Sequence, residues 1–268
     1  MPVELFESIR RYLHFNNNET AVAPNVVGHD RLHKIRPILD HLNVKFSEVP
    51  LEESLSIDEQ MCATKARHFL KMYMPGKPHK WGYKLFILAG VSGFAYKAEI
   101  YSGLENDPLL RAQLGEPDLG ACANIVMRLV RDIPRNCHYK LYFDNYYTTL
   151  PLLAELEKRE IHSLGTFRCN RFPGVLLSNE KDMNKKARGF SEECSTIYEG
   201  VEITAVGWKD NKTVSLASSF VGKGPVSKVR RFDRKNHVSV DIERQVIVKV
   251  YNRHMGGSGS SRQFDWEI

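Results

Sequence analysis

The sequence has no long hydrophobic run. Nowhere in its 268 residues does an uninterrupted apolar stretch approach the roughly 20 residues a helix needs to cross a bilayer, so no membrane partner is expected. A secretory leader is not expected either, because Glu4 and Glu7 stand where a signal peptide carries bases. The five cysteines (Cys62, Cys122, Cys137, Cys169 and Cys194) are scattered, odd in number and never spaced as Cys-x-x-Cys. That pattern excludes a disulfide framework, argues against a zinc site and fits a reducing compartment. His29 and His33 lie four apart, but no cysteine accompanies them and the other histidines show no ligand spacing. No serine or cysteine nucleophile with its base stands out, and nothing calls for a small-molecule cofactor.

What is present describes an ordinary globular chain, 42% hydrophobic and 26% charged. It is long enough for one large domain or two modest ones. The net charge of +6 favours a polyanionic partner.

The hydrophobic spacing predicts helices over 3–15, 28–46, 119–133 and 149–160. Pro37 must sit early in the second of these or kink it. Thr149 and Pro151 open the last. Strands are expected over 54–61, over the apolar run 84–89, over 94–101 as its hairpin partner after the Ser92-Gly93 turn, and over a stretch ending at Asp144. Further strands are expected at 163–168, 201–208, 213–220 and 245–251, with a basic loop over 221–239. Three strands, a helix, a strand and a helix follow one another in the order of an RNase H-like fold, a mixed α/β sheet flanked by helices. The expected organisation is an N-terminal helical segment (1–50), the first part of the core (51–169), an inserted strand-rich subdomain (170–220) and a basic loop with return to the core (221–257). The remainder, 258–268, has the Gly/Ser composition of a flexible linker and reads as an artificial splice.

Two aspartates carry the chemistry best. Asp58 ends the apolar run Leu55-Ser56-Ile57, and Asp144 ends Leu141-Tyr142-Phe143. Carboxylates at the ends of neighbouring buried strands are held rigidly and can share divalent metal ions, Mg²⁺ or Mn²⁺, for phosphoryl transfer. The competing reading is that both make turns or caps, the usual work of Asp beside Asn. Two basic stretches point to double-stranded DNA. Lys65, Arg67, Lys71, Lys77, Lys80 and Lys84 form the first, without an intervening acid. Lys223, Lys228, Arg230, Arg231, Arg234 and Lys235 form the second, against Asp233 alone. Such runs neutralise phosphates with little regard to base sequence, although one charge run taken singly is more often a solvated face.

Several ordered motifs resemble those of piggyBac-type transposases. Leu55-Ser56-Ile57-Asp58-Glu59-Gln60-Met61 is similar to the family's first catalytic motif and Phe143-Asp144-Asn145-Tyr146-Tyr147-Thr148-Thr149 to its second. Between them, Tyr73-Met74-Pro75-Gly76-Lys77-Pro78 resembles a family hallmark. Gly165-Thr166-Phe167-Arg168 resembles the segment entering the insertion domain, and Tyr251-Asn252-Arg253-His254-Met255-Gly256-Gly257 the lead-in to the third catalytic motif. The resemblance implies an RNase H-like core with an inserted domain and cut-and-paste transposition at TTAA targets. It also implies two Mg²⁺ held by carboxylates, Asp58 and Asp144 among them, and work in the nucleus. A homodimer is left open as a second partner.

The resemblance breaks at one place. The family follows Gly-Gly with Val-Asp, the third metal ligand, whereas this sequence reads Gly256-Gly257-Ser258-Gly259. Asp265 lies too far along to take that part, and Arg262 to Trp266 resembles a segment the family carries further downstream. The expectation is a catalytic-domain portion that cleaves DNA poorly or not at all. Two alternatives are a domesticated nuclear protein that binds DNA or chromatin without catalysis, and a metal nuclease unrelated to transposition.

Overall fold

The computed structural model describes residues 1–103, 108–233 and 237–255. In chain order its elements are α1 (Val3–Tyr12), α2 (Arg36–Ser47), β1 (Ser54–Ala63), β2 (Met72–Tyr73), β3 (Trp81–Gly90), β4 (Ala95–Ile100), α3 (Pro108–Gln113), α4 (Ala121–Leu129), β5 (Lys140–Phe143), α5 (Leu150–Lys158), β6 (His162–Thr166), α6 (Glu180–Asn184), β7 (Ser191–Tyr198), β8 (Val201–Lys209), β9 (Thr213–Ser218), β10 (Val226–Asp233), β11 (Val238–Gln245) and α7 (Val246–His254).

One mixed sheet runs through the molecule in the order β2–β3–β1–β5–β6–β9–β8–β7, with β4 also paired to β3. Its centre, β1–β5–β6, is parallel. β3 and β4 are antiparallel additions on one side, and β9, β8 and β7 extend the sheet on the other. The stretch 170–220 therefore adds strands to the central sheet, while β10 and β11 form a separate hairpin.

Each face of the sheet is covered. Leu55 and Ile57 of β1, Phe86 and Leu88 of β3, and Leu141 and Phe143 of β5 point to one face. There they meet Ile125, Val126 and Leu129 of α4 and Leu152, Leu153 and Leu156 of α5. The alternate residues Tyr142 and Leu164 point to the other face, with Val206, Trp208, Ile242 and, from α7, Ile247 and Val248. A sheet buried on both faces explains the near-continuous apolar sequence of β3 and β5. The Thr149 hydroxyl caps α5 by accepting from Leu152 N–H at 3.3 Å. Arg128 of α4 is tied to Glu99 of β4 by two bonds of 2.8 and 2.6 Å, which joins the helix layer to the sheet.

Several expectations are corrected. The second helix starts at Arg36, eight residues later than the spacing suggested, because Pro37 belongs in a first turn and residues 31–35 form turns before it. Asp58 does not end its strand: β1 continues to Ala63, paired throughout with β3. The loop expected over 221–239 contains strand β10, whose pairing with β11 runs from Val226↔Gln245 to Asp233↔Val238. The strand expected over 245–251 is α7. Its β-branched residues favour a strand locally, but Ile247, Val248, Tyr251 and Met255 recur at helical spacing and pack together on the sheet. Tertiary burial overrides the local preference. The expected tail over 258–268, like Arg234 and Lys235, lies outside the described residues.

Gly165 of β6 sits where the layers are tightest. A β-carbon there would come within 2.3 Å of Thr148 Oγ1 and 2.7 Å of the Phe143 ring. Gly165→Ala is therefore expected to lower stability by about 1–3 kcal/mol, the usual cost of overpacking, as measured by urea denaturation. An unchanged midpoint would show that these neighbours can move aside.

Candidate active site

The parallel register decides where the two aspartates lie. Ser56 pairs with Tyr142, and Ile57 with Phe143. The next position on each strand is Asp58 and Asp144. Residues two apart share a face, so both carboxyls belong with Tyr142, on the face covered by α7. Neighbouring strands are about 4.8 Å apart, which makes the two acids immediate neighbours at the carboxyl end of the parallel strands, where open α/β sheets bind their ligands. Main-chain N–H groups orient both side chains: Glu59 N–H donates to Asp58 Oδ1 at 2.8 Å and Tyr146 N–H to Asp144 Oδ1 at 2.8 Å.

The turn after Asp144 is fixed from within. Its carbonyl accepts from Thr148 Oγ1 at 2.8 Å and from Tyr147 N–H at 3.2 Å. Burial pushes the Asp144 carboxyl above the ordinary carboxylate range; the bond from Tyr146 opposes this, and the charges of Glu59 and Asp58 add to it. Asp58 is itself buried, at 8% exposure. Tyr251 of α7 packs against the apolar cluster on this face. Its phenol is pushed up to about 12, first by burial, with the Thr166 hydroxyl opposing and the charges of Asp144 and Asp58 adding. His254, one turn on, stacks on Tyr142 with ring centres 4.8 Å apart.

Behind β1, on the opposite face, lies a charged layer that the sequence did not single out. Lys77 donates to the carbonyl of Glu59 at 3.0 Å and pairs with its carboxylate at 3.1 Å. Lys84 is 7% exposed, its ammonium 4.4 Å from the centre of the Tyr146 ring and 4.8 Å from that of Phe86. Desolvation lowers its pKa, against the pull of Glu59. These two lysines of the first basic stretch face inward, and the hallmark segment is thereby clamped to β1 one residue beyond Asp58.

The other basic residues divide. Lys65, Arg67 and Lys80 are exposed, and half-buried Lys71 lies 5.4 Å from the Trp81 ring centre. In the hairpin, Lys228 and Arg230 are exposed but stand directly across from Glu243 and Asp241. Arg231 pairs with Asp210 at 3.1 Å, and Lys223 bonds the carbonyl of Ser191. The hairpin's bases thus have acidic neighbours that the linear sequence hides.

Among the described residues, no group of three or more His, Cys, Asp or Glu is arranged to hold a metal ion. The two aspartates supply hard oxygen donors of the kind Mg²⁺ or Mn²⁺ prefers, and the charges crowding Asp144 are those a cation would relieve. The residues present fit such a metal as two of its ligands.

A family model described as transposase IS4 matches residues 1–264. The chain belongs to the piggyBac-type transposase family. Human PiggyBac transposable element-derived protein 3 is 29% identical over 248 residues, covering 91% of this chain and 40% of that protein. Human PiggyBac transposable element-derived protein 2 is 29% identical over 261 residues, covering 96% and 42%. The chain thus spans about two-fifths of the length of these relatives. A cryo-EM structure of a piggyBac transposase synaptic complex with hairpin DNA matches with a TM-score of 0.71 at 21% identity, over 98% of this chain and 50% of that one. That likeness shows the fold, an RNase H-like one. Asp58 and Asp144, singled out in the sequence, are neighbours in this fold. Their neighbours Glu59 and Thr166 were not singled out, though counting the same position on each parallel strand would have found Thr166.

A carboxyl whose pKa is raised by folding destabilises the fold once it ionises. The penalty is full above the raised value and fades as pH falls toward the ordinary carboxylate range. Asp144→Asn should therefore raise the thermal midpoint at pH 7, and the gain should shrink at pH 4. A midpoint that is lower at pH 7, or a gain independent of pH, would contradict this account.

Proposed function

We propose that the chain is the catalytic-domain portion of a piggyBac-type transposase, or of a host protein derived from one, acting on double-stranded DNA at TTAA targets in the nucleus. The observation that carries this reading is the in-register pair Asp58 and Asp144 at the carboxyl end of the parallel strands. Those two residues would hold Mg²⁺ or Mn²⁺, which when bound supplies Lewis acidity toward the reacting phosphate. The chain's own part is to fix both carboxylates through Glu59 N–H and Tyr146 N–H. It also shields one side of the site with α7 and meets the DNA backbone with the exposed bases Lys65, Arg67 and Lys80.

The sequence offers Ser258 and Gly259 where the family has its third carboxylate, so this chain should hold metal weakly and cleave poorly. A second reading, a domesticated DNA- or chromatin-binding protein without transposase activity, is favoured by that substitution and by the likeness to two human proteins described as transposable element-derived.

With transposon-end DNA and Mg²⁺ or Mn²⁺, a strand-cleavage assay should give little product. Robust cleavage abolished by Asp58→Asn would overturn the incompleteness. By fluorescence anisotropy, duplex affinity should fall steeply with salt. Reversing Lys65 and Lys80 to Glu together should weaken it by about tenfold or more, and Lys228→Ala by less, because Glu243 already faces that lysine. Affinity indifferent to salt or to the double reversal would sink the assignment of the DNA face.

A further inference from the structure

The start of β3 carries an exposed aromatic pair that the two aspartates leave unexplained. Tyr73 of β2 stands directly across from Trp81 of β3, with ring centres 4.9 Å apart and planes tilted by 49°. Both residues stay about half open, at 49% and 53% exposure. Trp81 lies six residues before Ile87, the partner of Asp58, and residues an even number apart on a strand share a face. The pair therefore stands on the sheet face of Asp58, about 20 Å along β3 at the usual rise per residue. The charge around it is of one sign. Lys65, Arg67 and Lys80 are exposed. Lys71 donates to the carbonyl of Lys65 at 3.3 Å and holds its ammonium 5.4 Å from the Trp81 ring centre. No Asp or Glu lies between Lys65 and Lys84.

We propose that Tyr73 and Trp81 form a stacking platform for an unpaired base of a DNA strand, with Lys65, Arg67 and Lys80 on that strand's phosphates. The inference rests on reading this face as one that binds DNA. Cationic side chains alone need only phosphates, which a closed duplex also presents. An open aromatic ring needs the face of a base, and in a duplex those faces are already stacked on one another. A platform of this kind distinguishes unpaired from paired DNA while tolerating any sequence, because every base has a π-face. Lys71 over the Trp81 ring steadies it by a cation–π contact. The alternative is that the pair is covered by protein, in which case removing a ring alters association and leaves DNA binding as it was.

The test is fluorescence anisotropy of the full chain with a labelled oligothymidylate of about 16 nucleotides and with a blunt duplex of the same length. Trp81→Ala should weaken binding to the single strand by about tenfold and to the duplex by less than about twofold. Tyr73→Ala should act in the same direction. Trp81→Phe should keep most of the affinity, whereas Trp81→Leu, apolar but without a π-face, should not. Because both positions are exposed, every variant should keep the wild-type thermal midpoint to within about 3 °C. Unchanged single-strand affinity in Trp81→Ala, an equal loss on the duplex, or equal binding by Trp81→Phe and Trp81→Leu overturns the inference and leaves the DNA reading standing. So does a wild type that binds duplex but no single strand, or one whose self-association in sedimentation, rather than its DNA affinity, is lost in Trp81→Ala. Failure of the wild type to bind either DNA overturns both.

Discussion

The parallel register of β1, β5 and β6 is the constraint on which the site depends. Ile57, Phe143 and Gly165 form one rung, and the next residue on each strand stands abreast of its neighbours for that reason alone. A slip of one residue on β5 would send Asp144 to the face covered by α4 and α5, and Phe143 into the crevice. The slip is prevented by burial. Leu55, Ile57, Leu141 and Phe143 lie on one fully covered face, and Tyr142 and Leu164 on the other. Gly165 tightens the rung further, because only the absence of a β-carbon lets Thr148 and the Phe143 ring approach it. Thr148 in turn holds the Asp144 carbonyl, so packing on one face fixes chemistry on the other.

Holding acids together in a buried place costs stability, and the fold offsets that cost locally. Glu59 takes Lys77 on its carboxylate and its carbonyl. Lys84, nearly buried, sits against two aromatic rings rather than against a carboxylate within bonding distance. These cations lie behind the sheet from Asp58, where they temper the field without filling the ligand positions. Asp144 nevertheless keeps a raised pKa.

The sequence was readable where local pattern and tertiary environment agree. β1, β3, β5 and α5 are such segments: continuous apolar runs buried on both faces, and a helix opened by Thr149 and Pro151. It misled where they disagree. Val246 to Tyr251 has the composition of a strand, yet its burial recurs at helical spacing once the sheet beneath it exists. Residues 226–233 look like a charged loop because the acids that face Lys228, Arg230 and Arg231 come from 241–243 and 210, distant in sequence. The charge-run argument for DNA contact counts bases along the chain, whereas a phosphate meets what is left after cross-strand pairing. Lys77 and Lys84 belong to the same lesson, being part of a basic run whose members point two ways.

Recasting the segment after β11 as a helix alters the logic of the site. A strand over 245–251 would extend the hairpin and place Tyr251 on its edge. A helix instead lays the same residues on the sheet face that carries Asp58 and Asp144, with Ile247 and Val248 anchoring it and His254 stacked on Tyr142. Asp58 and Asp144 stand side by side on that face, each held by a main-chain N–H.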